Sequence, residues 1–475
     1  MSRETIILTT LVGYKLLLIG IGLWAQRRTH DNSDYFLAGR RLGPVVAAIS
    51  YAASSSSAWT LLGVSGAAYS LGLGALWLLP GIVTCHIVAW FWLAPRMRIS
   101  SAEHDQITLT DVLAQGTQGT SRAAIVAIAS AIVLFCFLFY VAAQFQGAGN
   151  TFIANFDISR NEAIVVGGIV VLVYTLLGGF WAVSVTDALQ GLLMAGAAVV
   201  LPVAALAAVG GPGQLLEGLR SVSSADQLSW TAGNAGLLAI GFAVGLMLVG
   251  LGTFGQPQLL NRFMALRDET ALRQARMMAI SWFVVVLAGM LLLGLCGHVL
   301  MPDAGNGETV FFGLTNQLFP VVIGGIITAA VLSAIMSTAD SQLLVAASCI
   351  AHDLGLARRF PAHALTISRI TMSLVCVAAV LIAILLPATI FARVLFAWNG
   401  LGSALGPVVM ARVLDRHVVP GAVMAAMIVG FGLTAVLYSL PNTPGDIAER
   451  AVPFLLSGLI VFLGSRPAAD ADLER

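Results

Sequence analysis

Long apolar stretches alternate with short polar ones along almost the whole chain. Runs near the twenty residues that a helix needs to cross a bilayer fall at roughly 5–26, 44–71, 75–95, 122–150, 162–178, 181–209, 233–255, 274–301, 318–350, 366–386, 389–410, 418–439 and 449–465. The pattern predicts an all-α polytopic membrane protein with about 13 transmembrane helices. The longest runs must hold turns or breaks, because a straight helix rising 1.5 Å per residue would overshoot a hydrocarbon core of ~30 Å. The connecting segments are short and none is of low complexity. Residues 1–465 therefore read as one transmembrane domain, and 466–475 as a short cytoplasmic tail.

Polar residues interrupt these runs at a few places. Ser54, Ser55, Ser56 and Ser57 stand in a row between Ala53 and Ala58, with Trp59, Gly63 and Gly66 following. Single serines are tolerated in lipid because the hydroxyl bonds back to a helix carbonyl. Four in succession beside glycines predict an unwound stretch. Its freed carbonyls and hydroxyls form a hard oxygen shell suited to a small cation; close helix packing through small residues is the plainer alternative. In the ninth run Ala334, Ser337, Thr338 and Ser341 recur at i, i+3, i+4 and i+7 and share one helix face. Asp340 lies beside that face, and Asp187 lies in the sixth run. An intramembrane carboxylate costs about 2.5–3.5 kcal/mol on insertion scales. Both are thus candidates for a second cation site or a proton relay, unless they are hydrated at a span end. Tyr140, in the fourth run, needs a partner or a ligand for its hydroxyl. In the seventh, Gly250, Gly252, Gly255 and Pro257 rule out a straight helix end and predict a second break. Trp398-Asn399-Gly400-Leu401-Gly402-Ser403 in the eleventh is similarly rich in glycine and polar groups.

Composition agrees with the pattern. The chain is 58% hydrophobic and 10% charged, against about 25% charged in soluble domains. A net charge of +1 gives no basic field for nucleic acid. The first run has no basic segment before it and is long enough to span, so it does not read as a cleavable signal. The five cysteines lie in apolar runs without a CxxC pair and read as small buried hydrophobes. With the N-terminus outside and the spans alternating, 18 arginines face inside and 4 outside, with Lys15 and Arg393 at membrane depth. The inside set includes Arg27, Arg28, Arg40, Arg41, Arg262, Arg267, Arg358 and Arg359. This positive-inside bias places the C-terminus in the cytoplasm and the protein in the cell membrane.

Several segments, taken together and in order, resemble the sodium:solute symporter family, and within it the sodium/proline branch. They are Asp34-Tyr35-Phe36-Leu37-Ala38-Gly39-Arg40, Ala53 through Trp59, Gly178-Gly179 through Gln190, Phe254-Gly255-Gln256-Pro257, Met336-Ser337-Thr338 through Leu344, and Ala397 through Gly402. The resemblance implies a LeuT-like core of two five-helix inverted repeats, spans 2–6 (about 44–209) and 7–11 (about 233–410), with one helix before and two after. It implies Na+ as the coupling ion, held by the carbonyls of Ala53, Ser56 and Ala334 and the hydroxyls of Ser337 and Thr338. It also implies a possible second cation site at Asp187, Asp340 and Ser341. Substrate is expected beside the break in span two, against Ser55, Ser57, Trp59, Tyr140, Val249, Thr253 and Pro257. Proline carriers have an aspartate at the position of Ser55, and a tryptophan and a tyrosine at those of Val249 and Thr253, so the pocket here has a different shape. Asp340 is one candidate for supplying the charge that Ser55 lacks.

The expected function is sodium-coupled secondary active uptake of a small polar solute, an amino acid such as proline, by alternating access. Alternatives are a sodium- or proton-coupled carrier of an organic acid or other metabolite, and a transporter-like solute sensor. An enzyme is disfavoured because no nucleophile–base or metal set converges in the motifs. The expected partners are a small-molecule substrate and the lipid bilayer, with no nucleic acid; oligomeric state is unread.

Overall fold

The computed structural model describes residues 3–26, 37–176, 180–360, 363–386 and 388–467. Asp34–Phe36, Gly178–Gly179, Arg27, Arg28 and the tail beyond 467, all used in the sequence reading, lie outside the described residues. Among those described, ten helical segments are long and apolar enough to cross a membrane. The only strands among them are two of three residues, Arg416–Val418 and Ser465–Pro467, which pair antiparallel with His417 opposite Arg466.

Burial separates the centre of the bundle from its periphery. In Val321–Ser348 the residues from Ile327 onward are all buried, and Ile390–Arg412 is buried over most of its length. Arg3–Gln26 and Pro420–Leu437 instead carry exposed Leu8, Leu16, Ile428 and Val436. Exposed aliphatics on outer helices are what a bilayer solvates, whereas polar backbone must be satisfied inside the protein.

The serine run breaks its helix. Pro44–Ser55 ends where Ser56 turns extended (φ −100°, ψ 91°), and the chain resumes through a π-helical turn at Trp59–Gly63 into Val64–Leu71. Breaking a helix orphans N–H groups that lipid cannot satisfy. Here Ala58 N–H donates to Gln144 Oε1 at 3.0 Å, and Trp59 N–H donates to Ser57 Oγ at 3.1 Å. The carbonyls of Ser54 and Ser55 are therefore deprived of their usual i+4 donors.

The second break is also present. Leu248–Gly255 winds as a 3-10 helix, Gln256 is extended, and Pro257, which has no N–H to lose, opens Pro257–Met264. Glycine is required here by close approach. A Cβ on Gly252 would lie 2.7 Å from the Trp398 ring, and one on Gly402 would lie 2.7 Å from Gly252 Cα.

A large cavity of about 490 Å³ opens at one end of the bundle. It is lined by Gly66, Glu308, Phe391, Leu395, Tyr438 and Glu449, among others. Two small ones, about 10 Å³ each, lie toward the opposite end beside Asn261 and Ser348.

Candidate functional site

The broken helix and the buried Val321–Ser348 helix meet along their polar residues. Ser337 Oγ lies 3.2 Å from both the Ala53 and the Ala334 carbonyls, and Thr338 Oγ1 lies 3.3 Å from the Ser54 carbonyl. Ala53, Ala334, Ser337 and Thr338 are all fully buried. Two hydroxyls and three carbonyls, one of them freed by the break, thus converge between helices whose bonded residues are 284 apart in sequence. These contacts do not include Ser56. They add the carbonyl of Ser54, which the motif pattern does not single out.

Next to this group lies a buried ion pair. Arg262 Nη2 donates to Asp187 Oδ2 at 2.7 Å, with both side chains essentially unexposed. Ser50 and Ser54 hydroxyls donate to the same oxygen, each at 3.0 Å. Ser341 Oγ accepts from Arg262 at 2.8 Å and is 3.0 Å from Ser54 Oγ. Arg262 also donates to Ser50 Oγ at 2.8 Å and to the Gln258 carbonyl. The arginine bias counts Arg262 in an inside loop, and the family resemblance gives Asp187 and Ser341 to a second cation. In this conformation Arg262 lies buried on the helix Pro257–Met264, and the cation facing Asp187 and Ser341 is its guanidinium. Two unlike charges buried together hold only with further hydrogen bonds around them, which Ser50, Ser54 and Ser341 supply. Asp340 touches this network through the Ser341 backbone. Its Oδ1 accepts from Ser341 N–H at 2.7 Å, and its Oδ2 is buried without a partner.

Above the break sits an aromatic cluster. Tyr140 Oη donates to Ser57 Oγ at 3.4 Å and accepts from Trp398 Nε1 at 3.0 Å. Trp59 stacks with Phe391 and Trp398, at centroid distances of 5.8 and 6.3 Å. Ser57, Trp59 and Tyr140 are thereby gathered. Thr253 and Val249 lie buried in the glycine-rich segment that packs on the helix carrying Trp398. Pro257 instead lines one of the small cavities, with Asn261. Ser55 Oγ, Trp59 Nε1, Thr253 Oγ1 and Gln144 Nε2 are buried without hydrogen bonds, and unpaired buried polar groups of this kind call for a ligand or water.

Sequence reasoning misses Gln144, Arg262 as a buried group, and the bond from Trp398 to Tyr140. Gln144 is within its reach, since it lies one turn from Tyr140 on the same helix face.

An interrupted helix that shares carbonyls and hydroxyls with a continuous buried helix, in an apolar bundle that holds a second interrupted helix, has the features of a secondary-transporter fold. Comparison with known proteins makes the class specific. The profile of the Sodium:solute symporter family matches residues 35–430. The osmoregulated proline transporter OpuE of Bacillus subtilis is 33% identical over 98% of this chain and 96% of its own. The sodium/proline symporter of Escherichia coli is 33% identical over 99% and 95%. Among solved structures, a Na+-coupled sialic acid symporter in a substrate-bound outward-open state superposes with a TM-score of 0.78 at 18% identity, covering 96% of this chain and 97% of that one. The transporter Mhp1 superposes with a TM-score of 0.56 at 14% identity, covering 92% and 96%. The chain belongs to the sodium:solute symporter family. It is a multi-pass membrane transporter that couples solute uptake to Na+.

Proposed function

We propose that this protein carries proline inward with sodium. The observation that bears most of the weight is the convergence of the Ser337 and Thr338 hydroxyls on carbonyls at the helix break, 3.2–3.3 Å away. Sodium binds between these oxygens, held by the Ala53, Ser56 and Ala334 carbonyls with Ser337 and Thr338; Ser54 adds a carbonyl. Such an ion ties the two helices together, so its arrival and loss bias the outward-facing and inward-facing states. Proline as the solute rests on the named relatives, two of them proline carriers at 33% identity. It docks against Ser57, Trp59 and Tyr140, with Ser55 and Thr253 offering unpaired hydroxyls.

Thirteen spans and a two-repeat core fit this reading. Gly72 (φ +60°) splits the long Trp59–Glu103 run, and Arg160–Thr175 and Ile447–Leu463 are crossing helices of 16 and 17 residues. The two breaks then fall in the first helix of each repeat, 44–209 and 233–410. The arginine bias sets the N-terminus outside, so the large cavity faces outward and the small ones face the cytoplasm.

The test is proline uptake into vesicles under an imposed sodium gradient and, separately, a pH gradient. Sodium alone is expected to drive accumulation. Ser337→Ala is expected to raise the half-maximal sodium concentration about tenfold or more, equivalent to ~1.4 kcal/mol. Unchanged sodium dependence in that variant would reject the ligand set, and accumulation driven by the pH gradient would favour a proton carrier. Competition by an organic acid but not by proline would reject the substrate.

A further inference from the structure

The two small cavities are joined by what lines them. Asn261, Val345 and Ser348 border both. The first reaches Ser341 and Arg262, and the second reaches Thr108, Thr110 and Asp353. On the Val321–Ser348 helix, Thr338, Ser341, Val345 and Ser348 follow at spacings of three, four and three, so they form one stripe down a single face. The stripe runs from the proposed sodium site toward the end where Asp353 closes the π-helical turn Cys349–Asp353.

The chemistry at the far end is that of hard oxygens. The Asp353 side chain is only 2% exposed. Its Oδ1 accepts from Thr108 Oγ1 at 2.9 Å and faces His352 Nδ1 at 3.1 Å. Its Oδ2 is buried with no hydrogen bond, and so is Asn261 Oδ1, on a residue 6% exposed. Thr108, Thr110 and Ser348 also line this cavity, and the rest of its wall is apolar, with Leu113, Val133, Leu405 and Cys349 among it. A carboxylate, an amide oxygen and hydroxyls select hard cations. Arg262 borders the first cavity, but its guanidinium is committed to Asp187, Ser341 and Gln258. The Arg122 guanidinium, on the next helix, is paired with Asp111 at 2.7 Å. At about 10 Å³ each cavity is the size of one water. A partly dehydrated alkali cation fits such a space, and an organic solute does not.

We propose that Asp353, Asn261 and Ser348, with the Thr108 and Thr110 hydroxyls, form a cytoplasmic way-station for sodium, occupied as the ion leaves the central site and when it rebinds from inside. This rests on the sodium site proposed above. With a 490 Å³ cavity at one end and two of about 10 Å³ at the other, the end that holds Asp353 is the narrow side of this conformation. A carboxylate at that point holds the departing ion and sets the affinity seen from the cytoplasm.

The test uses the full-length protein in membrane vesicles of defined orientation, preloaded with increasing sodium. Asp353→Asn keeps an oxygen for Thr108 and removes the charge. It is expected to raise the internal sodium concentration that half-inhibits uptake at least fivefold, while the external sodium dependence shifts less than twofold. Unchanged internal inhibition would overturn the proposal. So would equal shifts on both sides, which would mean that Asp353 only shapes the central site. If Asp353→Asn does not yield folded protein, Ser348→Ala carries the test: a two- to threefold internal shift is expected, and none overturns the idea. Ser337→Ala, measured in parallel, separates the two readings. If it leaves external dependence untouched, the central site is wrong; if it shifts that dependence and Asp353→Asn does nothing inside, only the way-station is wrong.

Discussion

Arg262→Gln is expected to destabilise the folded protein by about 3–5 kcal/mol, the cost of stranding one member of a buried ion pair. Asp187 would keep the Ser50 and Ser54 hydroxyls but lose its counter-charge in an interior where neither side chain meets solvent. The measurement is thermal unfolding of purified protein beside the parent. Adding Asp187→Asn is expected to restore much of the loss, because it removes the uncompensated charge. Equal instability of the single and double variants would show that Arg262 acts through packing and not through the pair. The single variant also decides the second cation site. With the guanidinium gone, sodium meets a free carboxylate beside Ser341. Stabilisation by sodium should then exceed that of the parent, since a ligand stabilises the state it binds. If sodium has the same effect on both proteins, Asp187 is a structural counter-ion and nothing more.

That ion pair also marks where the sequence stops being readable. The break at Ser56 can be read because its cause is local: four hydroxyls between small residues compete with the helix ladder on the spot. The stripe of Ala334, Ser337, Thr338 and Ser341 can be read because helical period fixes which residues share a face. Arg262 follows Pro257 in a segment of mixed polarity, with Arg267 soon after, and nothing local separates a short buried helix from a cytoplasmic loop. Its partner is 75 residues away. The bond from Trp398 to Tyr140 spans 258 residues, and a backbone path sets it, not a motif. Likewise Pro257 belongs with the substrate by its position in a motif, yet the helix it opens carries it to the small cavity beside Asn261. Patterns of period and composition thus reach the elements and the two breaks. Pairings across the bundle need the three-dimensional packing.

Gly255→Ala is the second substitution with a large expected effect, and it tests the other break. A Cβ there would lie 2.1 Å from the Leu401 carbonyl oxygen and 2.8 Å from Gly402 Cα. Both neighbours are backbone of a buried helix, so no side-chain rotation can make room. Overpacking of a well-filled interior costs about 1–3 kcal/mol and more where backbone must move. The expected outcome is loss of most folded protein from the membrane fraction and of uptake with it. Gly196→Ala is the control: nothing lies within 4 Å of where its methyl group would sit, so expression and uptake should be unchanged. Any folded Gly255→Ala protein is informative in its own right. Separating the 3-10 segment from the Ile390–Arg412 helix would move Trp398, which donates to Tyr140 and stacks on Trp59. Solute affinity should therefore fall while half-maximal sodium stays near the parent value, because the Ser337 and Thr338 contacts lie on other helices. A variant that folds normally and carries solute with unaltered affinity would mean that the glycine contact between these helices does not fix the aromatic cluster.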